Sequence, residues 1–242
     1  FADALAYAAR ELARAHGGWT GDPSPVKAVG IGAPNANQLT GIIEMAPNLP
    51  WKHDVPLARM MGDRLGVHAV LGNDANAAAL GEWRYGAGQG FDDLLVVTIG
   101  TGVGSGFIVH GKLVLGSAGN AGELGHMTMA VDGRACTCGR KGCLEAYVSI
   151  RGMRQTYAEL ADDLAVLQED GVKCIADAAH RGDRAAMRTF EETVRWLAVG
   201  LANAVAAAPR VSASSQMAGR AWPVSTCEAD PSRPSSRCTS AT

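Results

Sequence analysis

The chain has 242 residues, 22 Lys and Arg against 24 Asp and Glu, a hydrophobic fraction of 47% and 30 glycines. That composition supports a buried core and excludes a disordered chain; the net charge of −2 excludes a broad electrostatic surface for nucleic acid. With aromatics at only 5%, aliphatic side chains and alanine must fill the core. No apolar run reaches the roughly 18 residues of a membrane-crossing helix, and no signal peptide opens the sequence. The sequence starts at Phe1 inside a helical pattern, so a fragment is expected.

Residues 3–15 predict an amphipathic helix with Leu5, Ala8, Ala9 and Leu12 on its inner stripe. Lys27–Gly32 and Val67–Gly72 read as short buried strands, with residues 33–41 a loop and 55–65 a helix closed by Gly66. This alternation is an α/β pattern. Asn73-Asp74 then opens a helix, residues 93–100 form the clearest strand, and FIVHGKLVLG (107–116) predicts a hairpin turning at His110-Gly111. Residues 118–145 are rich in Gly and Cys and have little periodicity. From Glu145 the chain reads mainly helical, with breaks near residues 170 and 181 and a long helix over 183–208. Residues 212–242 hold eight Ser, three Thr and three Pro, and no Leu, Ile or Phe; a disordered tail, or a frameshifted one, is expected.

Three constellations carry chemistry. The first is His126-x9-Cys136-x-Cys138-x4-Cys143, framed by Gly139 and Gly142. One imidazole and three thiolates match a closed, structural tetrahedral zinc site, and a reducing, cytoplasmic compartment. The spacing is not that of a nucleic-acid zinc finger, which has two separated ligand pairs. The second is Gly100-Thr101-Gly102-Val103-Gly104-Ser105-Gly106. It admits two readings: a plain glycine-rich hairpin turn, or a loop whose N–H groups and Thr101 hydroxyl hold phosphate. It is neither GxGxxG nor a Walker A loop, which disfavours a Rossmann dehydrogenase and a P-loop NTPase. The third is Asn73-Asp74, followed by Glu123, His126 and Glu145. Asp74 is either a helix cap, worth about 1 kcal/mol, or a general base for phosphoryl transfer. Glu123 and Glu145 suit polyol hydroxyls, or else lie exposed on the surface.

VGIGAPN, APNLPW, NDANAAALGE, TIGTGVGSG, AGELGH and CTCGRKGCLEAY follow one another as in the ROK family of sugar kinases and related repressors. The resemblance is strong over about residues 26–150, weaker to about 208, and greatest to the bacterial ROK glucokinases. It implies an actin-like (RNase H-like) α/β sugar kinase fold, with two domains flanking a sugar cleft and incomplete at both ends. Residues 1–72 would be a remnant of the small N-terminal domain and 73–210 the larger domain with the zinc loop, followed by the 211–242 tail. Asp74 would be the catalytic base on the sugar 6-hydroxyl. Asn73, Glu123, His126 and Glu145 would bind the sugar, with His126 also on the structural Zn²⁺ beside Cys136, Cys138 and Cys143. Thr101 and Gly102 would contact ATP, with Mg²⁺ on its phosphates. Glucose would become glucose 6-phosphate in the cytoplasm, in a homodimer by analogy with relatives.

Two departures accompany the resemblance. No Asp-x-Gly-Gly-Thr strand precedes Val26, and no Gly-Gly-Gly-type adenosine loop follows the long helix. The 242-residue chain is therefore expected to be inactive or nearly so. Two alternatives stand beside glucokinase. One is a kinase for another hexose (N-acetylmannosamine, N-acetylglucosamine or fructose), with residues 34–37 and 116–122 bearing on the choice. The other is a sugar-sensing repressor that meets nucleic acid through a helix-turn-helix upstream.

Overall fold

The computed structural model describes residues 1–16, 26–44, 53–168 and 171–207. Its first helix, α1 (Ala2–Ala15), buries Ala2 and Ala6 and half-buries Ala9. The expected stripe is corrected here, because Leu5 is 37% and Leu12 65% exposed. Both stripes have helical spacing, so periodicity does not choose between them. Ala6 and Ala9 pack into the first core, and polar contacts accompany them: Arg10 donates to the Arg64 carbonyl, and Arg64 Nε donates to Asp3 at 2.6 Å. The alanine face lies on α2 (Leu57–Leu65).

β1 (Ala28–Gly32) runs parallel to β4 (His68–Gly72), with Ile31 opposite Leu71. Between them, β2 (Ala36–Asn37) and β3 (Ile42–Ile43) form a small antiparallel pair within the expected loop, and α2 closes at Gly66 with φ 68°. Leu57, Met61 and Leu65 of α2 pack with Ile43, Leu71 and Ala6, and Val29 and Ile31 join them. The two strands were expected to be buried, yet only one face is covered. Gly30 and Val70 lie exposed on the other, as strand alternation requires once helices cover a single side.

α3 (Asp74–Tyr85) packs on an antiparallel meander of β5 (Leu94–Ile99), β6 (Val103–Val109) and β7 (Lys112–Leu113). The β6–β7 turn falls at His110-Gly111 as expected; φ values of 51° and 69° give it the left-handed pair that a tight hairpin favours. The glycine-rich segment is mostly strand. Gly104 and Gly106 sit on one face of β6, where a Cβ would come within 2.6 Å of Ala75 Cβ and 2.5 Å of Ala79 Cβ respectively. Helix and strand meet backbone to backbone, and these two glycines serve that approach.

Residues 114–144 hold a single 3₁₀ turn (Leu124–His126) and two isolated bridges, Thr128–Cys143 and Ala135–Lys141. Four helices follow: α4 (Glu145–Val148), α5 (Ile150–Leu160), α6 (Lys173–His180) and α7 (Arg184–Ala207). A second core joins Val103, Leu124, Leu144, Tyr147 and Val148 to Ala204 of α7. A third gathers Tyr157, Ile175, Ala178 and Ala186. Among the described residues, no helix is long and apolar enough to cross a membrane. The 211–242 tail and the APNLPW motif, apart from the start of its flanks, lie outside the described residues.

The α3–β6 contact yields a stability prediction. Gly106→Ala should cost about 1–3 kcal/mol in urea unfolding, because it overpacks a backbone-to-backbone contact. Gly30→Ala, where a Cβ meets nothing within 4 Å, should be neutral or slightly stabilising. Equal losses in the two variants would contradict the packing account.

Candidate functional site

The end of β4 delivers Asn73 to the start of α3. Asn73 is extended (φ −62°, ψ 141°) and its Oδ1 accepts from Ala75 N at 2.9 Å and Asn76 N at 3.3 Å. Asn73 is therefore the helix cap. Asp74 stands at the first helical position, exposed, with one oxygen accepting from Ala75 N at 2.9 Å. The cap reading of Asp74 gives way to one in which its second oxygen faces outward at the positive end of a helix. The end of β1 passes close by, since a Cβ on Gly32 would sit 3.5 Å from Asp74 Cα.

The expected phosphate loop over residues 100–106 is shorter in the structure. Only Gly100, Thr101 and Gly102 form the turn, and β6 begins at Val103. Gly100 N donates to Gly102 O at 2.9 Å, and Val103 N donates to Glu145 Oε2 at 3.0 Å. Thr101 is exposed, and the N–H groups of Thr101 and Gly102 meet no acceptor among the described residues. Two backbone donors and one hydroxyl are thus presented together.

The Cys/His set converges as its spacing predicts. One donor atom from each of His126, Cys136, Cys138 and Cys143 lies within 4.8 Å of all the others. Cys138 Sγ is 3.7 Å from Cys143 Sγ, and Cys136 Sγ is 3.7 Å from His126 Nδ1. In a tetrahedral zinc site, with metal–sulfur bonds of about 2.3 Å and metal–nitrogen bonds of about 2.0–2.1 Å, donors stand roughly 3.6–3.8 Å apart. The donor types and these two spacings fit a zinc ion. Gly142, with φ 71°, lets the chain turn back; a Cβ there would run into the Ala130 carbonyl. Burial works against ionisation of Cys138, but the Arg140 N–H and guanidinium outweigh it and bring the thiol down to about 6. Burial and then the neighbouring sulfurs push Cys143 up to about 12. Without a cation the cluster resists carrying several thiolates, and a bound dication relieves that cost.

Near this loop, Glu123 lies within electrostatic reach of His126, Glu145 and Asp74. Burial raises the Glu123 carboxyl above the usual range; the charge on His126 opposes the rise, and Glu145 and Asp74 add to it. Asp74, Glu123, His126 and Glu145 therefore share one field. Glu145 Oε1 accepts from Thr137 Oγ1 at 3.3 Å and lies 3.8 Å from Cys136 Sγ. Nδ1 of His126 faces the thiols, which leaves Nε2 for another partner.

Three residues escaped the sequence reading. Asn37 Nδ2 donates to Glu44 Oε1 at 2.7 Å and to the Ala118 carbonyl at 2.8 Å, joining the 34–37 and 116–122 segments. Arg134 Nη1 reaches the carbonyls of Ala146 and Gly152 at 3.2 Å and Thr156 Oγ1 at 3.0 Å, which fixes the cysteine loop to α5. Asn76 Oδ1 is buried with no partner. No spacing pattern marks any of them, although Asn37 and Asn76 lie in segments already singled out.

The ROK family model matches residues 20–210. The chain belongs to the ROK family. It is 39% identical over 184 residues to a glucokinase of Thermotoga maritima, covering 72% of this chain and 58% of that protein. A xylose repressor of Caldicellulosiruptor bescii is 33% identical over 192 residues, covering 76% of this chain and 48% of the repressor. Among solved structures, a ROK family glucokinase from Streptomyces griseus in complex with glucose and AMPPNP superposes with a TM-score of 0.66. It is 40% identical, over 75% of this chain and 62% of that one. The fold is thus the actin-like α/β fold of the ROK sugar kinases. The chain spans about three-fifths of the length of the curated glucokinase it matches.

The metal site is directly testable. Elemental analysis of the purified protein should find about one zinc per chain, and a chelator should lower its melting temperature. Cys143→Ser should abolish the zinc content. A metal-free protein that melts identically with and without chelator would exclude the site.

Proposed function

We propose that this ROK protein is a glucokinase-type sugar kinase that transfers the γ-phosphoryl group of ATP to the 6-hydroxyl of glucose. The observation that supports the reading is that Glu123 lies within electrostatic reach of His126, Glu145 and Asp74, with Glu145 bonded to the base of a turn whose Thr101 and Gly102 N–H groups meet no acceptor among the described residues. Likeness to glucokinases at 39–40% identity supports the same reading. Residues 1–72 and 73–210 are proposed as the two domains, with the sugar between them. Glu123 and Glu145 accept hydrogen bonds from sugar hydroxyls, and His126 offers Nε2 to another while Nδ1 faces the zinc position. Asn73 gives its Oδ1 to the cap, so its amide N–H group is what it offers to the sugar. The zinc, with Cys136, Cys138, Cys143 and His126 as ligands, holds the sugar-side residues in place and takes no part in the reaction.

Asp74 has the position of the base. Its outward oxygen takes the proton of the 6-hydroxyl as the hydroxyl oxygen of the sugar bonds to the γ-phosphorus. The bond from that phosphorus to the bridging oxygen breaks, and ADP leaves with the electron pair. The Thr101 and Gly102 N–H groups and the Thr101 hydroxyl steady phosphate oxygens. Mg²⁺, when bound with ATP, neutralises their charge.

A second reading, a sugar-sensing repressor body, is favoured by the likeness to a xylose repressor. A kinase for another hexose differs only in substrate, and Asn37 sits where the two segments that bear on that choice meet. Asp74→Asn separates the classes. In the kinase, the variant should keep sugar binding by calorimetry and lose about 10²–10⁴-fold in phosphorylation rate. Because the 242-residue chain itself is expected to be inactive or nearly so, both measurements are made on the full-length protein. There, sugar binding without phosphoryl transfer in the wild type, from ATP and any of these hexoses, would favour the repressor.

A further inference from the structure

We infer that Glu145 is a positioning residue whose carboxylate ties the cysteine loop to the Gly100–Gly102 turn, so that metal loading sets the shape of the turn. The inference rests on the proposed reading for the turn's role, and on geometry alone for the tie. The carboxylate is divided between the two loops. Oε2 accepts from Val103 N at 3.0 Å, at the base of the turn. Oε1 accepts from Thr137 Oγ1 at 3.3 Å, and Thr137 lies between the metal-ligand positions 136 and 138. Cys136 Sγ is 3.8 Å from the same oxygen.

Neighbouring features suit the tie. A Cβ on Gly102 would stand 2.7 Å from Oε2, so a side chain there would displace the carboxylate. At the far end of α4, Ile150 N donates to the Gly100 carbonyl at 2.9 Å, a second hold on the same turn. On the other side, Leu144 N donates to the Met127 carbonyl at 2.9 Å, beside His126. The stretch from Cys143 to Ile150 is thus fastened to the metal loop at one end and to the turn at the other. The tie also decides which donors remain for phosphate. Val103 N–H is consumed by Glu145 and Gly100 N–H by Gly102, so Thr101 and Gly102 present theirs outward. Each carboxylate oxygen accepts more than one hydrogen bond, so the tie leaves room for a sugar hydroxyl.

Hydrogen exchange of the Val103 amide reads the tie directly, with neither sugar nor nucleotide present. A hydrogen bond to a charged group protects by about tenfold or more, so Glu145→Ala should accelerate Val103 exchange by at least about that factor. Glu145→Gln, whose amide oxygen still accepts, should restore most of the protection. Stripping the metal with a chelator should accelerate Val103 in the wild-type protein and add nothing in Glu145→Ala. Gly102→Ala should accelerate Val103 with the zinc content unchanged, which covers the case in which Glu145→Ala fails to fold. The amides of β6 beyond Gly104 serve as the folding control in every sample. Unchanged Val103 exchange in Glu145→Ala, or in Gly102→Ala should Glu145→Ala not fold, would overturn the tie. An equal chelator effect in wild type and Glu145→Ala would overturn the coupling to metal. Failure of the kinase reading leaves every one of these results unchanged, so the two are tested separately.

Discussion

The structure depends most on the charge problem created by three sulfurs and an imidazole crowded within 4.8 Å. Residues 114–144 form no long helix or strand; a 3₁₀ turn and two single bridges are their only regular features. Leu124 and Leu144 anchor the segment in the second core, but almost no regular hydrogen-bond ladder fixes the backbone between them. A metal held by these four donors would tie the segment together as a cross-link. The opposite displacements of Cys138, to about 6, and Cys143, to about 12, show how strongly the cluster resists holding all its thiols ionised without a cation. His126 and Glu145 inherit their positions from that cross-link. Glu123 precedes His126 in the same turn and inherits its position too.

A cross-linked loop must still be aimed, and Arg134 aims it. Its side chain is 14% exposed, and its guanidinium lies 4.9 Å from the centre of the Tyr147 ring. Tyr147 in turn stacks on Trp196 of α7 at 4.3 Å, and its hydroxyl accepts from Arg134 N at 3.0 Å. Glu159 accepts from the same guanidinium. A buried guanidinium is tolerated when carbonyls and a carboxylate surround it, and this one meets both. The loop is therefore joined to α4, α5 and α7 through one side chain. Gly200 permits the contact, because a Cβ there would stand 2.6 Å from Leu144 Cδ2.

Much of this was legible in the sequence. The metal set follows from donor type and spacing, the His110-Gly111 turn and the Gly66 cap from local backbone preference, and the long C-terminal helix from its pattern. Each is decided within a few residues. The errors arose where two local solutions were equally good and a distant partner chose. Leu5 and Leu12 fit an inner stripe as well as Ala2 and Ala6 do, until α1 packs on α2, whose residues lie about 50–60 positions beyond Ala6 in sequence. The glycines at 104 and 106 read as loop residues because glycine disfavours strands. Here their lack of a side chain is what lets α3 lie on β6. Strands 28–32 and 68–72 are apolar enough to be buried on both faces, but sequence composition does not say how many faces are covered. Arg134 had no signal at all, because its value lies in acceptors gathered from two other segments, α4 and α5.

The capping arrangement at α3 shows how one short motif divides its labour. A helix start needs an acceptor for its unpaired N–H groups, and either residue of Asn-Asp is suited to it. Had Asp74 taken the cap, its carboxylate would be turned back onto the helix, with little acceptor capacity left for a substrate proton. Asn73 instead supplies Oδ1 to two N–H groups, and Asp74 spends one oxygen on Ala75 N while the other stays outward. The neutral residue does the structural work, so the charged one remains available at the positive end of the helix. The same economy governs Glu145, which gives the protein one lone pair per oxygen and keeps the rest. In both places a carboxylate satisfies a backbone N–H with one oxygen and keeps further acceptor capacity.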